Sequence, residues 1–196
     1  PSSHAGYYPG AQHLSLKLVF TSDGRILGAQ GVGRSGVDKR IDVIATAIRG
    51  DLTAPELSEL ELAYAPPFSS AKDPVNMLGY VADNILRGLA DPIQWHELAT
   101  HTASGAPVID VRTSTEYSTG HIPGAVNIPV DELREKLHLL PESGDVIVTC
   151  AVGVRGHVAA SLLRTPHRRV RNLDGGMRTW EAAGLPVARQ LHESPD

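Results

Sequence analysis

From residue 91 onward the chain alternates short apolar segments with segments of helical spacing, and its most apolar segment, Val146-Ile147-Val148, offers no polar face to water. A strand of that kind is satisfied only when both of its faces are covered. This predicts an α/β unit with a mainly parallel central sheet and helices on both faces. Strands are expected at 107–111, 125–128, 145–149 and 170–173. Helices are expected at 92–100, 113–118, 131–139, 156–163 and 177–183. Thr113-Ser114-Thr115-Glu116 forms a capping box that fixes one helix start.

Residues 1–90 are punctuated differently. Leu14, Leu16, Leu18 and Phe20 alternate with Ser15, Lys17 and Val19, the period of a half-buried strand. Thr21-Ser22-Asp23-Gly24 supplies a turn, and Arg25 to Val32 returns as the second strand of an antiparallel hairpin. Val37, Ile41, Ile44, Ala45 and Ile48 make one helical stripe, closed by Gly50. Thr53-Ala54-Pro55-Glu56 reads as a capping box opening a short helix. Tyr64-Ala65-Pro66-Pro67-Phe68 is a stiff loop, and Asp73-Pro74 starts a further helix with Leu78, Val81, Ala82, Ile85, Leu86 and Leu89 on one face. The boundary falls near Asp91, giving a smaller α+β domain at 1–90 and an α/β domain at 91–196.

Composition excludes several classes. Eighteen Lys plus Arg against 22 Asp plus Glu leave a net charge of −4, the wrong sign for nucleic-acid binding by bulk charge. No apolar run approaches the roughly 18 residues of a membrane span. No basic segment followed by an apolar one opens the chain, so no export signal is expected and the cytoplasm is the expected compartment. The first residue is Pro1 rather than Met, which suggests a piece of something longer. The single cysteine, Cys150, excludes an internal disulfide and a multi-cysteine metal site, and no histidines stand at metal-ligand spacing.

Cys150 follows the apolar strand directly. Cys150-Ala151-Val152-Gly153-Val154-Arg155 then leads into the helical pattern at Gly156. In a strand–loop–helix corner successive backbone amides converge, and the helix N-terminus adds positive potential that stabilises a thiolate. Arg155 adds a full charge, and Ala151 and Gly153 let the backbone wrap closely. The plain alternative is a buried structural cysteine. Loops of Cys-dependent phosphatases are one residue longer between cysteine and arginine. Here four intervene, Ala151 to Val154. A cradle of that size suits one extra sulfur on the cysteine better than a phosphoryl group.

Several segments then carry a family resemblance. They are Val108-Ile109-Asp110-Val111-Arg112 with Glu116-Tyr117, Gly120-His121-Ile122-Pro123-Gly124-Ala125, the Cys-x4-Arg loop, and Asn172-Leu173-Asp174-Gly175-Gly176 followed by Trp180. Residues from about Asp91 to Arg189 resemble a rhodanese (sulfurtransferase) domain. The resemblance implies that Cys150 is the nucleophile and persulfide carrier. It implies that the amides of Ala151, Val152, Gly153, Val154 and Arg155 cradle the persulfide and that Arg155 stabilises anionic donor or product, with no cofactor for this step. The loop interior carries no basic residue, whereas loops that take up thiosulfate usually do. A polysulfide or thiol persulfide is therefore at least as good a donor as thiosulfate.

Asp110, Arg112 and Glu116 are spaced to form a polar network supporting the loop. His121 reads as a hydrogen-bonded structural histidine rather than a general base, and His157, one turn into the helix, reads as a solvated helix residue, with reach to the sulfur site as the alternative. Arg164, His167, Arg168, Arg169 and Arg171 form a basic run, either a solvated edge or a site for a phosphate-bearing thiol such as coenzyme A.

Gly31-Val32-Gly33-Arg34-Ser35-Gly36 matches the G-x-G-x-x-G pattern of dinucleotide sites, but its strand lies in an antiparallel hairpin and no acidic residue closes a second parallel strand. The glycines are expected to permit close backbone packing. The first ninety residues instead resemble the C-terminal dimerisation domain of pyridine nucleotide-disulfide oxidoreductases. The coenzyme A-disulfide reductase / NADH-dependent polysulfide reductase group with a fused rhodanese domain matches through His4-Ala5-Gly6-Tyr7-Tyr8-Pro9-Gly10-Ala11, Gly28 to Gly33, Val37 to Asp42, Leu62 to Phe68 and Ser70 to Asn76. This resemblance implies a homodimer in which Tyr7 or Tyr8, and Tyr64, reach the partner's flavin site. It also implies FAD and NAD(P)H domains and a flavin-proximal cysteine upstream of Pro1, and coenzyme A as a further ligand of the parent. The expected function is sulfur transfer through a Cys150 persulfide to a thiol acceptor, within such a reductase. A noncatalytic dimerisation and sulfur-docking module is the alternative.

Overall fold

The computed structural model describes residues 1–190, and the chain divides into two compact units, Pro1–Leu89 and Ala90–Asp196. Residues 191–196, which the sequence reading includes in the second domain, lie outside the described residues.

In the first unit β1 (Leu14–Phe20) and β2 (Ile26–Gly33) pair antiparallel, with a register shift between Val19 and Phe20. Two helices follow, α1 (Val37–Arg49) and α2 (Pro74–Leu86), with a 3₁₀ turn at Pro55–Glu59 between them. Ile26, Ile44, Ala47, Ala54, Leu57, Val75 and Ala82 form the core. The G-x-G-x-x-G segment is a packing device: a Cβ on Gly31 would lie 2.6 Å from Val37, and one on Gly33 would lie 2.8 Å from the Leu14 Cβ. Gly36 takes a left-handed φ of 70° as the residue before α1.

In both helices the inner face overlaps the expected apolar stripe, through Ile44 in α1 and Ala82 in α2, but is rotated from it. In α1 the buried positions are Arg40, Ile44 and Ala47, while Ala45 and Ile48 are exposed. The cause is the Arg40 guanidinium, which pairs with Asp73 at 2.8 Å and donates to the Ser3 and Gly36 carbonyls at 2.7 and 2.9 Å. In α2 the inner face is Val75, Asn76, Gly79 and Ala82, and Val81 is half exposed. Asn76 draws that face in by donating to the Leu57 and Leu60 carbonyls. Gly79 permits the contact, because a Cβ there would sit 2.3 Å from the Ser58 nitrogen. The box at Thr53 forms in half: its amide and hydroxyl both donate to Glu56.

The second unit is a five-stranded, all-parallel sheet. In chain order it runs β3 (Pro92–Ile93), α3 (Leu98–Ala103), β4 (Val108–Asp110), α4 (Ser114–Thr119), β5 (Val126–Asn127), β6 (Gly144–Thr149), α5 (Val154–Leu163), β7 (Arg168–Leu173) and α6 (Gly176–Ala182). The spatial order is β3-β7-β6-β4-β5. Alternate residues of the strands feed two cores. Ile109, Val146, Val148 and Val170 meet Ala159, Ala160 and Leu163 of α5 on one face. Ile93, Val108, Ile147 and Leu173 meet Leu98, Tyr117, Met177 and Trp180 on the other. Continuous apolar strands are the direct consequence.

Two expected helices are corrected. At 92–100, Pro92–Ile93 is instead the edge strand β3, with the Asp174 N–H donating to the Ile93 carbonyl at 2.9 Å. An edge position tolerates proline's missing donor. Helix begins only at Leu98, after a 3₁₀ turn at Trp95–Glu97. At 131–139 the chain makes successive tight turns with a 3₁₀ turn at Leu137–Leu139. Leu133 and Leu140 alone are buried there, too sparse a stripe to hold a helix. No helix among the described residues is long and apolar enough to cross a membrane.

Candidate active site

Cys150 sits at the C-terminal end of β6 on the face shared by Val146 and Val148, and it is 1% exposed. Its Sγ accepts a hydrogen bond from the Gly153 amide at 3.0 Å. Gly153 makes that turn with φ 109°, a conformation glycine adopts readily, and it is the residue on which α5 begins. Ala151 and Gly153 are half-buried, whereas Val152 and Val154 are exposed. The loop is thus a tight wrap around the sulfur with an apolar rim.

Two other elements clamp it. At the start of α6, Met177 and Arg178 donate their amides to the Cys150 and Ala151 carbonyls at 2.8 and 3.1 Å. Gly176 lets the backbones meet: a Cβ there would lie 2.2 Å from the Cys150 carbonyl oxygen. From β7, the Asn172 side-chain amide donates to the Gly153 carbonyl at 2.9 Å. The Asn172 Oδ1 presses against Gly156, where a Cβ would lie 2.1 Å from it. These clamping roles of Asn172, Gly156 and Gly176 are absent from the sequence reading, although Asn172 and Gly176 belong to its motif near residue 174.

Arg155 lies in the first turn of α5 and is engaged. Its Nη1 and Nη2 donate to the two carboxylate oxygens of Glu116, each at 2.7 Å. Glu116 is the third residue of α4, and its Oε2 also accepts the Thr113 amide and hydroxyl at 3.0 Å. The Arg155 guanidinium, aided by Thr113 and opposed by desolvation, pulls the Glu116 carboxyl from 4.5 to about 2. The same pairing raises Arg155 above its ordinary value. The expected full positive charge is therefore delivered as one half of a neutral pair.

Asp110 and Arg112 form a separate buried pair at 2.6 Å, and Arg112 also donates to the Gly120 carbonyl. They support the 120–125 turn, while Glu116 supports Arg155. His121 stacks on Tyr117 at 3.7 Å and donates to the Tyr117 carbonyl at 2.9 Å. His157 is half-buried, and its amide donates to the Gly153 carbonyl. The basic run is divided by β7: Arg168 is buried and donates to the Leu163 carbonyl, Arg169 pairs with Asp91, and Arg171 meets Asp145 and His101. In the first unit, the hydroxyls of Tyr7 and Tyr64 are 3.2 Å apart, and both rings are exposed, Tyr7 to 77%. Tyr8 is exposed beside them in sequence and stacks edge-on with His4. No group of acidic, histidine or cysteine side chains among the described residues is arranged to hold a metal ion.

Comparison with known proteins matches two stretches of the chain. Residues 1–74 match the pyridine nucleotide-disulphide oxidoreductase dimerisation domain, and residues 94–183 match the rhodanese-like domain. A coenzyme A disulfide reductase of Staphylococcus haemolyticus is 51% identical over 84 residues, which are 42% of this chain and 19% of that protein. Among solved structures, the reduced CoADR-RHD of Bacillus anthracis is 51% identical with a TM-score of 0.88, over 92% of this chain and 32% of that one. A NAD-dependent persulfide reductase from A. fulgidus is 39% identical with a TM-score of 0.80, over the same shares of each chain. The chain thus spans about a fifth of the curated relative and about a third of the two solved ones.

Proposed function

We propose, for a chain that corresponds to the C-terminal part of a pyridine nucleotide-disulfide oxidoreductase of the coenzyme A-disulfide reductase type with its fused rhodanese domain, that Cys150 carries sulfane sulfur as a persulfide between a donor and a thiol acceptor. The observation that carries this reading is the Gly153 amide donating to Cys150 Sγ from a four-residue turn. The Gly153 amide and the N-terminus of α5 both turn positive potential toward a sulfur anion held there. The thiolate attacks the outer sulfur of the donor, the donor's S–S bond breaks, and its electron pair leaves on the donor thiolate. A new S–S bond then joins Cys150 Sγ to the transferred atom. A thiol acceptor takes that atom by the same exchange in reverse.

In the parent reductase the sulfur would pass on for reduction at a flavin. FAD and NAD(P)H supply electrons when bound. This chain's share there would be to form a homodimer and to present Tyr7, Tyr8 and Tyr64 at the partner's flavin site. The exposed Tyr7–Tyr64 hydroxyl pair fits that task, and so do the exposed Leu27, Val32, Met77, Tyr80 and Val81 of the first unit. A carrier thiol needs a reducing compartment, which is the cytoplasm.

The test is mass spectrometry of the chain after exposure to inorganic polysulfide or glutathione persulfide. One added sulfur atom is expected on wild type and none on Cys150→Ala. An unmodified wild-type mass with both donors would overturn the reading. The near-complete burial of Cys150 favours one second reading, a noncatalytic dimerisation and sulfur-docking module, and the same spectrum separates the two.

A further inference from the structure

Near the Cys150 loop two acid–base pairs are closed, while Arg178, whose amide meets the Ala151 carbonyl, has an exposed side chain. Arg155 is held by both carboxylate oxygens of Glu116, and Asp110 by Arg112. The loop interior, Ala151 to Val154, contributes no charge of its own. Nor is Glu116 a passing surface partner. Its place in α4 and two bonds from Thr113 fix its carboxylate before Arg155 arrives.

We propose that Glu116 selects the sulfur donor: by holding Arg155 in a two-point ion pair it removes the net positive charge that a dianionic donor needs, and so turns the loop toward thiol persulfides and away from thiosulfate. This rests on Cys150 being the sulfur carrier. The charge balance of the two reactions explains the effect. With a persulfide R–S–SH, the Cys150 thiolate attacks the outer sulfur, R–S⁻ departs, and Cys150–S–SH remains, so one negative charge is present throughout. With thiosulfate, the same attack breaks the S–S bond, sulfite leaves as a dianion, and Cys150–S–S⁻ remains. Three negative charges then gather in the loop. Amides and a helix N-terminus can balance the first case, whereas the second calls for an uncompensated guanidinium.

The experiment compares wild type with Glu116→Gln in the full chain. Glutamine keeps the cap, because a capping box accepts Gln as well as Glu at this place, but it releases the Arg155 charge. With cyanide as acceptor, kcat/KM is measured for thiosulfate and for glutathione persulfide. The ratio of thiosulfate to persulfide is expected to rise about tenfold or more in the variant, the scale of one unit charge released near a reacting anion. An unchanged ratio, or a parallel fall with both donors, would overturn the proposal. Glu116→Ala is a second neutral variant and must move the ratio the same way. A binding measurement needs no turnover: sulfate should protect Cys150 from iodoacetamide in the variants at concentrations that leave wild type unprotected, and equal protection counts against the gate. Failure of wild type to form any persulfide would sink the carrier reading, while the sulfate measurement still decides the gate.

Discussion

The Asn172 side-chain amide holds the Gly153 carbonyl at 2.9 Å, and the Gly153 amide holds Cys150 Sγ at 3.0 Å. Asn172 thus acts on the sulfur through one glycine. Asn172→Ala removes one of two hydrogen bonds to this half-buried carbonyl, the His157 N–H keeping the other, at a cost of about 0.5–1.5 kcal/mol. It also loosens Gly153, the residue whose N–H faces the thiol. We expect a lower melting temperature together with a changed rate of alkylation of Cys150 by iodoacetamide at fixed pH. Asn172→Asp, which sets a carboxylate against the same carbonyl, should change that rate further. An alkylation rate unchanged in both variants would show that Asn172 serves stability alone.

Gly176 and Gly153 both have positive φ, 55° and 109°, but their surroundings differ. A Cβ at Gly176 would lie 2.2 Å from the Cys150 carbonyl, whereas at Gly153 nothing lies nearer than 3.9 Å. Gly153→Ala therefore carries backbone strain alone, about 1–3 kcal/mol. Gly176→Ala adds a collision with backbone that cannot yield without moving Cys150. Thermal melts should rank Gly176→Ala well below Gly153→Ala, and the reverse order would mean that the α6 clamp is softer than its geometry suggests.

The corner around Cys150 is legible in the sequence because its signals are local: an apolar run, a small-residue loop and a helical pattern follow one another without interruption. The hairpin and the Thr113 cap are legible for the same reason. Asn172 and Gly153 stand 19 residues apart on different elements, and neither segment's composition announces the bond between them. Arg40 owes its burial to Asp73, which stands 33 residues further along the chain. Edge strand β3 is hidden because two residues are too few to show a period, and Pro92 reads more naturally as a helix start. The pairing of Arg155 with Glu116 escapes a reading that weighs each charge by its neighbours in sequence.

The Arg40–Asp73 pair ties α1 to the start of α2 with both side chains at most 2% exposed. Burial pushes the Asp73 carboxyl up, but Arg40, the Ser69 hydroxyl and the Val75 amide outweigh it and hold it below the ordinary value. Removing one partner leaves the other charged and dry, at a cost of about 3–5 kcal/mol. Asp73→Ala and Arg40→Met should each lower the unfolding midpoint by that scale. In the double variant no unpaired charge is left, so the combined loss should be smaller than the sum. Strict additivity would show that the two groups do not depend on each other.

Glu116 gives the second unit a defined acid response. Its carboxyl is drawn from 4.5 to about 2, first by Arg155, against desolvation, with Thr113 assisting. A carboxyl depressed in the folded state binds fewer protons there than in the unfolded chain, so between these values acid favours unfolding. The stabilisation is complete above 4.5 and is lost as pH falls toward about 2. Because the Glu116 side chain is 37% exposed, solvent screening keeps it near the surface-pair scale, about 1 kcal/mol or less. Asp73 responds in the same direction, so the acid sensitivity of wild type alone does not isolate Glu116. The difference between wild type and Glu116→Gln does. That gap in melting temperature should be widest near neutral pH and should close as pH is lowered through this window. A gap that stays constant down to pH of about 2 would mean that the carboxylate owes nothing to Arg155.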